Sequence, residues 1–106
     1  MSKRVDAITL NYMLEHARRI AECTSGSRET FATDDVLTEA VSLHLIWLAA
    51  AAERVTAAGK RADIPWEAIM RARDRVLHDY HEVTPAEVWQ RARTVAPRVI
   101  EALAAR

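Results

Sequence analysis

"AVSLHLIWLAAAAERV", residues 40–55, is apolar on almost every side of the helix it must form. Its alanines and leucines are strong helix formers. A helix that is greasy nearly all the way round is either the central member of a bundle or shared with a second chain. Just upstream, "TDDV" (33–36) offers Thr33 or Asp34 as its N-cap, and the helix is predicted to run to near Gly59. Before it, a first helix is expected from about Val5 to Thr24, ended by "TSGS" with Gly26 available for a left-handed cap. Between the two, "SRETFAT" (27–33) reads as a turn of helix that tucks Phe31 inward. Downstream, "DIPWEA" (63–68) opens a third helix, with Pro65 in a first turn that needs no N–H there, continuing to about Tyr80. "TPAE" (84–87) opens a fourth, with Thr84 as N-cap, Pro85 at the first helical position and Glu87 completing a capping box. Val88, Ala92, Val95, Val99 and Leu103 give it a covered stripe, and Pro97 is predicted to kink it or end its regular part. The expected fold is all-α: an up-and-down bundle of four main helices plus a short helical turn, in one domain over residues 1–106.

Composition agrees with that class. Half of the 106 residues are hydrophobic, while Gly (2) and Pro (3) are scarce, which disfavours sheet and turn-rich folds. Fifteen basic residues balance fifteen acidic ones, so no broad positive field exists to gather nucleic acid. Residues 60–106 carry nine Lys/Arg against seven Asp/Glu, a slight excess, so any nucleic-acid chemistry must rest on a local site. The apolar run closed by Glu53 and Arg54 is not expected to span a bilayer, and "MSKRVDAITLNYM" (1–13) meets polar residues too early for a secretory leader. A lone Cys23 excludes an intrachain disulfide framework and suits a reducing, cytoplasmic setting. The greasy surface exceeds what four helices hide, so a two-fold homodimer is expected, with Trp47 and the alanines 49–52 at close helix contacts.

The chemistry concentrates in "RARDRVLHDYHEV", residues 71–83. Trp66, Ile69, Arg73, Val76, Leu77 and Tyr80 share the spacing of a covered helix face, and Arg73 alone among them is charged. A guanidinium in that position needs an anionic partner. At about 100° per residue, Tyr80 falls about 20° from Arg73, Asp74 about 100° and His78 about 140°. One helix can thus present a fixed cation, a titratable base and a phenol. That set suits attack on a phosphodiester: Arg73 holds phosphate oxygens, His78 moves a proton at the 2′-hydroxyl or 5′-oxygen, and Asp74 orients the imidazole or holds it protonated. No metal is required when RNA supplies the nucleophile. The same residues also admit a plain structural account. Arg73 can pair with Asp63, Glu67 or a second copy's carboxylate; His78 and His81 can be solvated at a helix C-terminus; and Tyr80 can be core with its hydroxyl at the rim.

Residues 71–80, "RARDRVLHDY", resemble the signature of the HEPN superfamily, here Arg73-Asp74-x-x-x-His78. The added His78-Asp79-Tyr80 is similar to the HepT branch, the toxin half of MntA–HepT toxin–antitoxin pairs. The longer stretch "DIPWEAIMRARDRVLHDYHEVTPAEVW" (63–89) extends the likeness, and the helix order before it fits. The resemblance implies a dimeric, metal-independent endoribonuclease with no cofactor, cutting RNA where two motif copies face each other. By position it implies Arg73 and His78 as the catalytic pair, Asp74 in support, and Tyr80 as the residue adenylylated by a cognate MntA-like nucleotidyltransferase antitoxin. An AMP at Tyr80 would set bulk and negative charge beside Arg73 and block an RNA phosphate. Asp74 stands where Asn is usual and Asp79 where Gly is frequent; Arg71 and Arg75 are expected to offset those carboxylates and bind substrate. The alternative from another class is a non-catalytic helical module that partners a nucleotidyltransferase.

Other candidates carry less. His78, Asp79, His81 and Glu82 are too crowded on one helix to converge on a metal. His44 is expected to be a hydrogen-bonded core or interface residue, and the spacing of Trp47, Trp66 and Trp89 reads as packing.

Overall fold

The computed structural model describes residues 3–79 and 81–104 and contains no strand among them. Its elements are α1 (Lys3–Cys23), α2 (Arg28–Ala32), α3 (Asp35–Glu53), a 3₁₀ turn (Ala57–Gly59), α4 (Trp66–His78) and α5 (Pro85–Ala104). α3 packs against each of the other four α-helices and is the central member. Its inward side is Val41, Leu45, Leu48, Ala49, Ala51 and Ala52. These meet Met13 and Ile20 of α1, Phe31 of α2, Ile69 and Val76 of α4, and Val88, Val95 and Val99 of α5 in one core. Hiding a side chain such as Leu48 stabilises the fold by about 1.5–3 kcal/mol. Yet α3 is not wholly enclosed. Leu43, Trp47 and Ala50 point outward along one line, as their spacing of four and three residues requires.

The alanine run therefore divides. Ala49, Ala51 and Ala52 belong to the chain's own core, and only Ala50 is exposed for contact with another molecule. α3 is also long and apolar enough to cross a membrane by length and composition, with a mean hydropathy of 1.4, contrary to the expectation from Glu53 and Arg54. The charges sit toward its ends and leave a long apolar interior. Its packing inside the bundle gives the same composition a different use.

The caps explain most boundaries. Asp34 accepts from Leu37 N at 3.1 Å and starts α3. Thr84 accepts from Glu87 N at 3.1 Å and starts α5. The capping box is only half made, because the Glu87 carboxylate turns to arginines instead. α1 ends without a left-handed glycine, since no described residue has positive φ. The Thr24 hydroxyl donates to Ile20 O at 2.8 Å and closes that end. α3 stops at Glu53, six residues short of the expected Gly59, and the chain re-forms as the 3₁₀ turn. That turn is pinned from α1: buried Asp6 accepts from Thr56 N at 3.0 Å and from the Thr56 hydroxyl. Those bonds hold the Asp6 carboxyl below the ordinary range. Gly59 fits beside it because an added Cβ would lie 2.7 Å from Asp6 Oδ2. α5 continues through Pro97 to Ala104, so Pro97 does not end it.

Candidate active site on α4

α4 lies between α3 and α5, and its arginines divide between the two seams. Arg71 and Arg75 are about 40° apart round the helix, while Arg73 is about 200° from either. Arg75 faces α5. Its Nε donates to Glu87 Oε2 at 2.7 Å and its Nη2 to Glu87 Oε1 at 3.0 Å, a bidentate pair. Arg91 adds a longer bond to the same carboxylate at 3.4 Å, and Asp79 lies 3.4 Å from Arg75 Nη1. Glu87 pushes Arg75 above the ordinary guanidinium range, and Arg75 in turn holds Glu87 below the ordinary carboxylate range. Arg71 is exposed and pairs with Glu67 one turn back. The two arginines expected to bind substrate are thus engaged on the side of α4 away from Arg73.

Arg73 faces α3. Its side chain is 22% exposed, as its place in the apolar stripe foretold, and it does have anionic partners. They are neither Asp63 nor Glu67. Nε donates to Asp74 Oδ1 at 2.9 Å, and Nη1 donates to Glu53 Oε1 at 2.5 Å. Asp74 first, then Glu53, raise Arg73 above the ordinary guanidinium range. Asp74 is therefore turned toward the arginine, not toward His78. Nη2 is left without a protein acceptor among the described residues. Glu53 is the participant that sequence reasoning missed. It stands twenty residues away, and the only hint was an acidic residue closing an apolar helix.

His78 is the last residue of α4 and is exposed, with no hydrogen bond or ion pair among the described residues. It lies about 7.5 Å further along the axis than Arg73 and about 140° round, so within one chain the two diverge. Tyr80 lies outside the described residues. Exposed Leu77 sits between Arg73 and His78 in direction, and α3 beside it presents Leu43, Trp47 and Ala50.

A second cluster lies across α1 and α3. His16 Nδ1 and His44 Nδ1 are 3.2 Å apart, and the Trp47 ring meets His44 edge-on at 5.4 Å. The pair borders a cleft of about 390 Å³ with Glu15, Arg18, Arg19 and Glu22. His44 is hydrogen-bonded, as expected. Burial pushes both imidazoles below the ordinary range, and for His44 the charges of His16 and Arg19 add to this. A cleft of about 260 Å³ between α4 and α5 is lined by Arg71, Glu87, Gln90, Arg91 and Thr94 among others. Arg73 and His78 line neither. Trp66 donates to Arg61 O at 2.8 Å with Lys60 over its ring, a packing role.

An all-α bundle with Arg73, Asp74 and His78 at this spacing on its penultimate long helix fits a HEPN-type domain. The family described as ribonuclease HepT-like matches residues 13–105, and the chain belongs to it. No curated protein and no solved structure matches the chain significantly.

Proposed function

We propose that this chain is an endoribonuclease toxin that acts as a two-fold homodimer and is paired with an MntA-like nucleotidyltransferase antitoxin. Family membership supports the ribonuclease class. The single observation that carries the site is Arg73, partly buried with its side chain 22% exposed, whose Nη2 has no protein acceptor among the described residues. The exposed apolar side chains of Leu43, Trp47 and Ala50 on α3, Leu77 on α4, and Ile8 and Tyr12 on α1 are proposed as the surface through which two copies pair. Pairing two copies through it brings both α4 motifs to one groove and overcomes the divergence of Arg73 from His78 within a chain.

In this reading the 2′-oxygen attacks phosphorus, giving up its proton to one His78, while the bond to the 5′-oxygen breaks. The partner's His78 protonates that leaving oxygen. The products are a 2′,3′-cyclic phosphate and a 5′-hydroxyl. Arg73 Nη2 holds a phosphate oxygen as charge builds. The substrate supplies its own nucleophile, so the reaction runs without metal. Arg73 takes the scissile phosphate, while Arg71 and Arg75, paired with Glu67 and Glu87 on the other side of α4, are left at most an accessory part in holding RNA. Tyr80 is the adenylylation position by its match to the motif, and the setting is cytoplasmic.

The alternative, a non-catalytic partner of the nucleotidyltransferase, draws support from the two carboxylates on Arg73. One experiment separates them. Purified protein is incubated with total RNA, with and without EDTA, beside Arg73→Ala and His78→Ala. Cleavage by the wild type alone, lowered roughly 100-fold or more by either change, is the expected result. Equal RNA patterns in all three samples would favour the binding module, and cleavage abolished by EDTA would remove the metal-free chemistry.

A further inference from the structure

We infer that Glu53 is a positioning residue for Arg73, fixing the guanidinium so that Nη2 is the group offered to an RNA phosphate. This rests on the ribonuclease reading and adds to it a residue outside the motif. The geometry is specific. Asp74 takes Nε at 2.9 Å and Glu53 takes Nη1 at 2.5 Å, and these two bonds from different helices define the guanidinium plane. Among the described residues no acceptor takes Nη2, so its N–H groups are the ones left for a phosphate oxygen, while Nε and Nη1, the second donors of the two fork edges, are held by the carboxylates. Glu53 is brought there by the close approach of α3 to α4, which small, buried Ala49, Ala52 and Ala72 permit.

A bare charge-compensation role for Glu53 makes different demands. The Glu53 side chain is 57% exposed, and ion pairs with so exposed a member contribute little to stability. A wandering guanidinium, in contrast, costs catalysis heavily, because a small misplacement of a reacting group lowers the rate by one to two orders of magnitude. Glu53 also repels RNA. Its removal therefore separates binding from turnover, which a merely structural contact would not do.

The test uses the whole chain and an unstructured RNA oligonucleotide, comparing Glu53→Ala, Glu53→Gln, Arg73→Ala and the Arg73→Ala/Glu53→Ala double variant. For Glu53→Ala, kcat is expected to fall about tenfold or more with KM unchanged or lower. Glu53→Gln keeps an acceptor for Nη1 and should stay within about threefold of wild type. In the Arg73→Ala background the second change should have no further effect. Faster cleavage by Glu53→Ala, or equal losses in the Ala and Gln variants, would overturn the inference. A second readout does not depend on cleavage. The Arg73 Nε–Hε resonance should be sharp in the wild type and broadened in Glu53→Ala, with circular dichroism confirming the fold. If the wild type cuts no RNA the ribonuclease reading fails, and an unchanged Hε signal in Glu53→Ala then refutes the positioning role as well.

Discussion

Arg73 and Arg75 stand two residues apart on α4, carry the same charge and are both partly buried, yet they are held in opposite ways. Arg75 is closed: one carboxylate, Glu87, takes Nε and Nη2 together, and Glu87 is itself anchored at the start of α5 by its N–H bond to Thr84. Arg73 is open: its two partners take Nε and Nη1 singly, and both are more than half exposed. The closed arginine ties two helices together. The open one is held between α4 and the C-terminal end of α3 by carboxylates that solvent can reach.

The comparison breaks most visibly at Trp47, which is 45% exposed at the middle of the outward face of α3. Trp47→Glu places a charge in the proposed interface. The wild type is expected to run as a dimer by light scattering and the variant as a monomer at the same concentration, with helical content retained. RNA cleavage should fall with it by roughly 30-fold or more, as for a central interface residue. A Trp47→Glu monomer that cleaves at the wild-type rate would mean that a single α4 suffices, and the open edge would lose its significance.

How far the sequence foretold this division depends on distance along the chain. Caps and periodicity are local, so Asp34, Thr84 and the covered stripe of α5 were legible, and so was the oddity of a charged residue in Arg73's position. What answers that charge was not legible. Glu53 reaches Arg73 across twenty residues, through the packing of α3 on α4, and His16 reaches His44 across twenty-eight. The half-made capping box shows the same limit: "TPAE" specifies a reciprocal bond, but Arg75 on a neighbouring helix offers Glu87 a stronger partner. Helical rotation alone separated Arg71 and Arg75 from Arg73, and that much was readable from the spacing.

Arg75→Met sharpens the contrast at the closed side. The methionine keeps an apolar stem and removes the fork, leaving Glu87 with Arg91. Thermal unfolding should shift down by a few degrees, while RNA affinity and cleavage well below Tm stay near wild type. Loss of RNA binding without loss of stability would return Arg75 to the substrate-binding role that its position in the motif suggested.

The smallest effect concerns the edge of the open face, where His16 and His44 pair beside Trp47. Two imidazole nitrogens 3.2 Å apart can share one proton between them but not hold one each without repulsion. Burial favours the neutral forms, so both groups titrate below the ordinary 6.5 in the folded chain. The unfolded chain then binds more protons than the folded one as pH falls through 6.5 and below. Stability should accordingly be full above about pH 7 and decline as pH drops from there, levelling once the folded imidazoles have titrated. Arg18 and Arg19 oppose protonation and Glu15 and Glu22 favour it, so the decline should be shallow, a few degrees in Tm between about pH 7.5 and 5.5. His44→Gln removes one titrating group while keeping a hydrogen-bond partner for His16, and its Tm should vary less over that range. If the variant follows the wild-type curve, the pair contributes nothing to the pH response, and the acid sensitivity of the fold must lie with carboxylates such as Asp6, which lose their bonds only at much lower pH.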